Sequence, residues 1–380
     1  MACRVVLVAL ALSASVFGQQ APPAKRPDDA KIDAAIRRGV EFLKGTGGRS
    51  VRGNQAHELV LLALVHAGVR PNDPFFAALL QGMLEDPLQM TYRVALQAMV
   101  LEEIDRVKYQ RRIFQCAQYL VDNQCQNGQW SYGQPTTFPD PNLTSMKDVA
   151  TGSSGIKPGQ VVMFGEPEYH GKPIVRQKIP VKKQREGPPA GDNSNAQYAA
   201  LGLRACHDSG IVLPTQVVER AQKWWRECQC NAGAQGGGVV SGQGSRGWSY
   251  HDRGDSPYGS MTAGAVAALT ICDYILGADW KKDETLAAGV GWLSNNFNVL
   301  ENPGRKGGHL YYYLYGLERA GMLYGTETFG KRDWYAEGAN TLLQNQAADG
   351  QWNGTIDTCF AILFLRRATR ALVESKDQKK

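Results

Sequence analysis

Two short stretches of the sequence carry side chains that could do chemistry together. "IDTCF" sets Asp357 and Cys359 two residues apart, and "QAHEL" sets His57 beside Glu58. Carboxylate, thiol and imidazole are the groups that move protons and attack carbonyls. Further polar residues stand at the starts of apolar helical segments: Tyr92 and Arg93, Asp192 and Asn195, Ser260 and Thr262, and His309 with Tyr311 and Tyr312. Glu58, Asp357, Tyr92, Arg93 and His57 are types used in glycan cleavage, as paired carboxylates or as Tyr, His and Arg. Nothing in their spacing selects one such set. Asp192, Ser260, Thr91 and Asp357 are equally the types that cap helices. "GAQGGGVVSGQGSRG" lacks the Gly-Lys-Ser/Thr ending of a phosphate loop and reads as a connection.

The elements that must position these residues are helical almost throughout. "KIDAAIRRGVEFLK" (31–44) repeats its apolar residues at three- and four-residue spacing. The next segment, "NQAHELVLLALVHAG" (54–68), is apolar nearly all round. This alternation recurs in six helix pairs, ending with "RDWYAEGANTLLQNQ" and "TIDTCFAILFLRRATRAL". A helix apolar on every face must be buried on every side, and one with a polar face can cover it from outside. The expected fold is therefore all-α: six inner helices closed into a ring by six outer ones, an (α/α)6 toroid.

A repeated phrase marks the junctions. "QYLVDNQCQNGQWSYG" (Gln118 to Gly133) and "TLLQNQAADGQWNG" (Thr341 to Gly354) both place Gly four and Trp six residues after a Gln. Gln124 and Gln346 end outer helices, where a Gln amide can serve orphan backbone groups. Gly128 and Gly350 permit the left-handed turn, and Trp130 and Trp352 stack over the connection. A degenerate copy has Trp225, Gln229 and Gly233, with the aromatic delayed to Trp248. Another has Trp292-Leu293, with Phe297 in the Gln position.

These phrases resemble the QW-type repeats of terpenoid cyclase and protein prenyltransferase toroids. "DNSNAQYAALGL", "GSMTAGAVAALTIC" and "YYLYGLERAGMLYG" resemble, more narrowly, bacterial exported "prenyltransferase and squalene oxidase repeat" proteins. The likeness covers about residues 31–375 apart from one insertion. In such toroids the ligand cavity opens near the starts of the inner helices, so the resemblance implies a cavity lined by Glu58, Tyr92, Arg93, Asn195, Thr262, Tyr311 and Tyr312. Protein prenyltransferases hold zinc with Asp-x-Cys on one inner helix and His on the next. Asp357, Cys359 and His57 match that order if the ring is read circularly, with Asp357 as the polar centre of any reaction. Cys359 also fits as a small core residue. The squalene-cyclase acid motif Asp-x-Asp-Asp and the metal motif Asp-Asp-x-x-Asp are missing. The expectation is a toroid that binds an apolar or isoprenoid-like molecule, or a partner protein on its rim, with no cofactor required. An isoprenoid-acting enzyme and a glycan-active barrel are the alternatives.

Residues 1–18 read as a secretory signal peptide: Arg4, then the apolar run Val5 to Val16, then Gly18 at a small-residue cleavage site. That implies export to the periplasm or the medium. Residues 19–30 read as a linker, and 376–380 as a tail. No other segment reads as a membrane span. A formal net charge of +6, with no Lys/Arg-rich helix or base-stacking motif, argues against nucleic acid. Seven cysteines follow the leader, an odd number, and their spacing assigns no disulfide. The insertion, 132–191, is rich in Pro and Gly and lacks helical periodicity. It reads as a solvated, mobile flap, and its six basic residues between Lys172 and Arg185 offer a weak contact for an anionic surface. N-terminal sequencing of the exported protein is expected to begin at Gln19; an intact Met1 would overturn the leader.

Overall fold

The computed structural model describes residues 24–45, 57–138, 172–242 and 244–372 of the 380-residue chain. The expected signal peptide, residues 19–23 of the linker, residues 139–171 of the insertion and the tail lie outside the described residues. The described chain is all-α, with twelve α-helices: α1 Asp29–Lys44, α2 His57–His66, α3 Pro74–Glu85, α4 Thr91–Asp105, α5 Gln110–Asp122, α6 Asn193–Asp208, α7 Thr215–Glu227, α8 Gly259–Leu276, α9 Glu284–Asn295, α10 Leu310–Tyr324, α11 Trp334–Asn345 and α12 Thr355–Leu365. Strands are confined to three two-residue pairs: β1 Ile179–Pro180 runs parallel to β2 Ile211–Val212, while β3 Gln235–Gly236 with β4 Val239–Val240 and β5 Thr328–Phe329 with β6 Arg332–Asp333 are antiparallel.

The two helix types pack differently, as their faces require. α7 buries only Val217, Val218, Ala221 and Trp225, a single stripe. α8 buries every residue from Gly259 to Asp273. By length and composition α8 reaches the threshold for a membrane span, contrary to the sequence reading, but it is 83% buried within the protein. The even-numbered helices follow one another in space: α2 packs on α4, α4 on α6, α6 on α8, α8 on α10, α10 on α12, and α12 on α2. The odd-numbered helices lie against this circuit: α3 on α2, α5 on α4 and α6, α7 and α9 on α8, α11 on α10 and α12, and α1 on α12. The first and last helices therefore meet, joined also by an ion pair of Arg366 with Asp33 at 2.7 Å.

The repeated phrase is a staple between successive outer helices. The amide of Gln124 donates to the carbonyl of Val217 on α7 at 2.8 Å, and that of Gln346 donates to Ala35 on α1 at 2.8 Å. These acceptors lie within the next outer helix and are not orphan groups of the same helix end, as the sequence suggested. Three residues beyond each acceptor comes the glycine contact. A Cβ on Gly128 would overlap the carbonyl of Arg220, and one on Gly350 that of Arg38. The indole N–H then returns to the helix just left, Trp130 to the carbonyl of Leu120 (2.7 Å) and Trp352 to that of Leu342 (2.8 Å). The degenerate copy repeats the wiring: Gln229 donates to Thr285 (2.9 Å), Arg246 N–H to Ala288 (3.0 Å), and Trp248 to Trp225 (2.8 Å). Long-range register is thus set by one amide, one close approach and one buried indole. In the fourth copy Phe297 has no such amide and instead lies under the Arg332 guanidinium at 5.0 Å.

The described limbs of the insertion are pinned, which corrects the reading of a mobile, solvated basic flap. Lys172 pairs with Glu102 and, at 2.9 Å, with Glu103. The Lys183 ammonium donates to the carbonyl of Val121 (2.8 Å). Arg185 donates to Asn123 Oδ1 and to the carbonyl of Gln134, both at 2.7 Å. Half of the six basic side chains are therefore committed to the body of the protein, and Ile179 adds a strand bond to Gly210.

Substituting Gly350 with Ala forces a Cβ onto a backbone carbonyl at a φ of 90° and should cost more than about 2 kcal/mol by urea denaturation. Gly277→Ala, at a φ of 71° in open space, should cost only about 1 kcal/mol. Equal effects would refute the staple.

Candidate functional site

At the starts of the inner helices the expected lining residues are engaged in holding the fold. Glu58 is buried and accepts two hydrogen bonds from Arg93 Nε at 3.0 and 3.1 Å, while Arg93 Nη2 also reaches Asp86 at 3.1 Å. This is a salt-bridged core pair and not a pair of free catalytic groups. Asn195 is fixed by Asp192, the N-cap of α6, which accepts from its backbone N–H (2.7 Å) and its amide (2.8 Å). Thr262 is fully buried and accepts the backbone N–H of Trp248 at 3.0 Å, as Thr358 does for Trp352. Tyr92 is half-buried, with its hydroxyl on Met90 Sδ (3.3 Å) and its ring edge-on to Tyr132. Tyr311 is half-buried near Asp357; burial, with that carboxyl adding, raises its phenol above the usual value.

The expected metal ligands are not brought together. Asp357 accepts from Asn353 Nδ2 at 2.8 Å, and burial raises its carboxyl against the pull of Asn353 and His309. Cys359, two residues on, is turned into the core, fully buried, and burial drives its thiol far above the normal range. His57 borders a small cavity with Phe75, Ala78 and Leu79. Among the described residues no three His, Cys, Asp or Glu side chains stand where they could hold a metal ion. The donor set therefore does not fit zinc. All seven described cysteines are buried and unpaired.

Inside the circuit runs a polar chain that the sequence reading did not assemble. Ser194 Oγ and the Tyr312 hydroxyl are 3.1 Å apart, and the Gln197 amide donates to the same hydroxyl at 2.6 Å. Gln197 Oε1 accepts from Arg319 Nη2 at 3.0 Å. The Arg319 guanidinium is 4.3 Å from the Tyr315 ring centre and 5.5 Å from that of Tyr198. A Cβ on Gly264 would overlap the Gln197 amide, so that glycine makes the room. Glu318, also fully buried, accepts from the backbone N–H (2.9 Å) and hydroxyl (2.7 Å) of Thr369.

A cavity of about 840 Å³ opens at the opposite end from the one expected, where the inner helices finish. Its apolar wall includes Leu62, Met99, Ile174, Val175, Leu201 and Ala205, and Tyr315 and Thr369 also line it. Glu102, Glu103 and Asp208 supply carboxylates, and Arg106, Lys178, Arg204 and Arg370 supply cations. None of the expected cavity residues lines this basin. Its acids are paired: Glu103 with Lys172 and Arg370 (2.9 and 2.7 Å), and Asp208 with Arg204 (3.5 Å). Burial would push Glu103 up, but Lys172, His66 and Arg370 outweigh it and hold the carboxyl down at about 2. Burial, with Arg370, Lys172 and Arg366 adding, lowers His66 to about 4 against the pull of Glu103, and burial also lowers His207. Both imidazoles are neutral at pH 7, and the four cations Arg106, Lys178, Arg204 and Arg370 stand against the three carboxyls Glu102, Glu103 and Asp208.

Burial raises Glu318 to about 7, against the opposing pull of Thr369, Arg319 and Arg367. Folding thus favours its protonated form. The associated stability is full below 4.5 and is lost as pH rises to about 7. His66 acts in the opposite sense, losing stability as pH falls from 6.5 toward 4, but it is common to wild type and variant. The stability of wild type relative to Glu318→Gln should therefore fall by roughly 3 kcal/mol between pH 4 and pH 8, by denaturant titration. A flat difference would contradict it. In comparison with known proteins, the chain matches no protein-family model and no curated protein.

Proposed function

We propose that the protein is an exported (α/α)6 toroid of the QW-repeat type. Its function would be to bind a small amphipathic molecule in the basin where the inner helices end. The observation that carries this is a basin of about 840 Å³, within the size range of small-molecule sites, whose wall joins an aliphatic surface to an excess of cations. The cyclic packing of the even-numbered helices and the recurrent Gln–Gly–Trp staple support the toroid. The apolar character of the expected ligand survives in Leu62, Met99, Leu201 and Ala205; its position moves to the other end of the ring. Binding is favoured over isoprenoid or glycan chemistry because Glu58 is locked to Arg93 and Asp357 to Asn353, which leaves no free acid–base pair among the proposed residues.

The test uses N-phenyl-1-naphthylamine, an uncharged apolar fluorophore. The full chain should bind it, and Met99→Trp, which places an indole on the basin wall, should weaken binding by at least about tenfold with unchanged circular dichroism. Equal affinity in the two proteins would place the ligand elsewhere and refute the reading.

A further inference from the structure

Arg319 is 1% exposed, near the middle of an inner helix. Only one of its three nitrogens is served: Nη2 donates to Gln197, while Nε and Nη1 are buried without an acceptor. The adjacent carboxylate of Glu318 is bound to Thr369. Two tyrosine rings face the guanidinium, but a ring face does not replace the two missing hydrogen-bond acceptors. Glu318 pulls on the guanidinium through space but gives its hydrogen bonds to Thr369, so two buried charged donors remain without the acceptors that would offset their lost hydration. The surroundings are nonetheless built around it, since Gly264 clears space for the Gln197 amide that holds it.

The position ties this group to the basin. Tyr315, whose ring lies under the guanidinium, lines the basin one helical turn before Arg319. Leu201, one turn beyond Gln197, lines it too. We infer that Arg319 receives an oxyanion, a carboxylate or phosphate, through Nε and Nη1, and that the basin's ligand class is therefore an anionic amphiphile. The inference rests on the basin reading and deepens it. The oxyanion is either the ligand's own head group or a free ion beside it, and the experiment separates the two.

Decanoate and decanol share a tail and differ in charge. Each is titrated against bound N-phenyl-1-naphthylamine in the wild-type full chain and in Arg319→Met and Arg319→Gln. Decanoate should displace the probe about tenfold less well from both variants, while decanol displaces it equally from all three proteins. Without ligand, both variants should melt at or above the wild-type temperature, because two buried donors without acceptors are gone. Acetate or phosphate alone raising the wild-type melting temperature, but not that of the variants, would assign the oxyanion to a free ion. Equal decanoate affinity in all three proteins would overturn the inference and leave the Met99→Trp result to judge the basin on its own. Loss of folding in both variants would show the guanidinium to be satisfied within the protein and would also overturn it.

Discussion

Helices that are apolar on every side cannot meet water, and the rest of the structure follows from that constraint. α2, α8 and α12 have no polar stripe to expose, so each needs neighbours around its whole circumference. Packing side by side covers two flanks, and a layer of amphipathic helices covers the outside. A row of such helices would still leave two bare ends. Here the ends cover each other, α12 lying on α2 and α1 on α12. The Gln346 amide reaches Ala35 across 311 positions of sequence, with the same wiring that Gln124 uses to reach Val217 across 93. The closing junction is thus built like an internal one.

What the sequence discloses is what lies within a few residues. The four- and six-residue spacings of Gln, Gly and Trp mark helix ends because the Trp bond back to Leu120 or Leu342 is local. The acceptor of the Gln amide is on another helix, and no spacing names it. The polar starts of the inner helices look like a site because Glu58, Arg93, Asn195 and Thr262 are rare types in apolar company. Each is instead consumed by a partner distant in sequence or by a cap. The basin draws on helix endings such as Glu102, Arg106 and Asp208, which read as ordinary polar termini. One signal was present in the text: "GLERAG" carries two charges into the middle of an inner helix, where burial is unavoidable.

The two ends of the circuit therefore differ in physical character. At the starts, polar groups satisfy one another and fix the entry of each helix. At the finishes, carboxylates and cations surround open space, and burial keeps His66 and His207 uncharged. From the starts, a hydrogen-bonded chain runs from Ser194 through Tyr312 and Gln197 to Arg319 in the middle of its helix. Such linked donors polarise one another in a low dielectric, so a charge placed at one end is felt along the chain.

The clamp formed by Arg185 has a further consequence. By holding the carbonyl of Gln134 and the side chain of Asn123 together, it joins the strand of chain that departs after α5 to the strand that comes back before α6. Closing a loop whose feet already touch costs free energy that grows only with the logarithm of its length. Changes of length between residues 138 and 172 therefore come at little expense to the helices beneath, whereas the limb that carries Lys172, Ile174, Val175 and Lys178 against the helix endings is bound to its sequence.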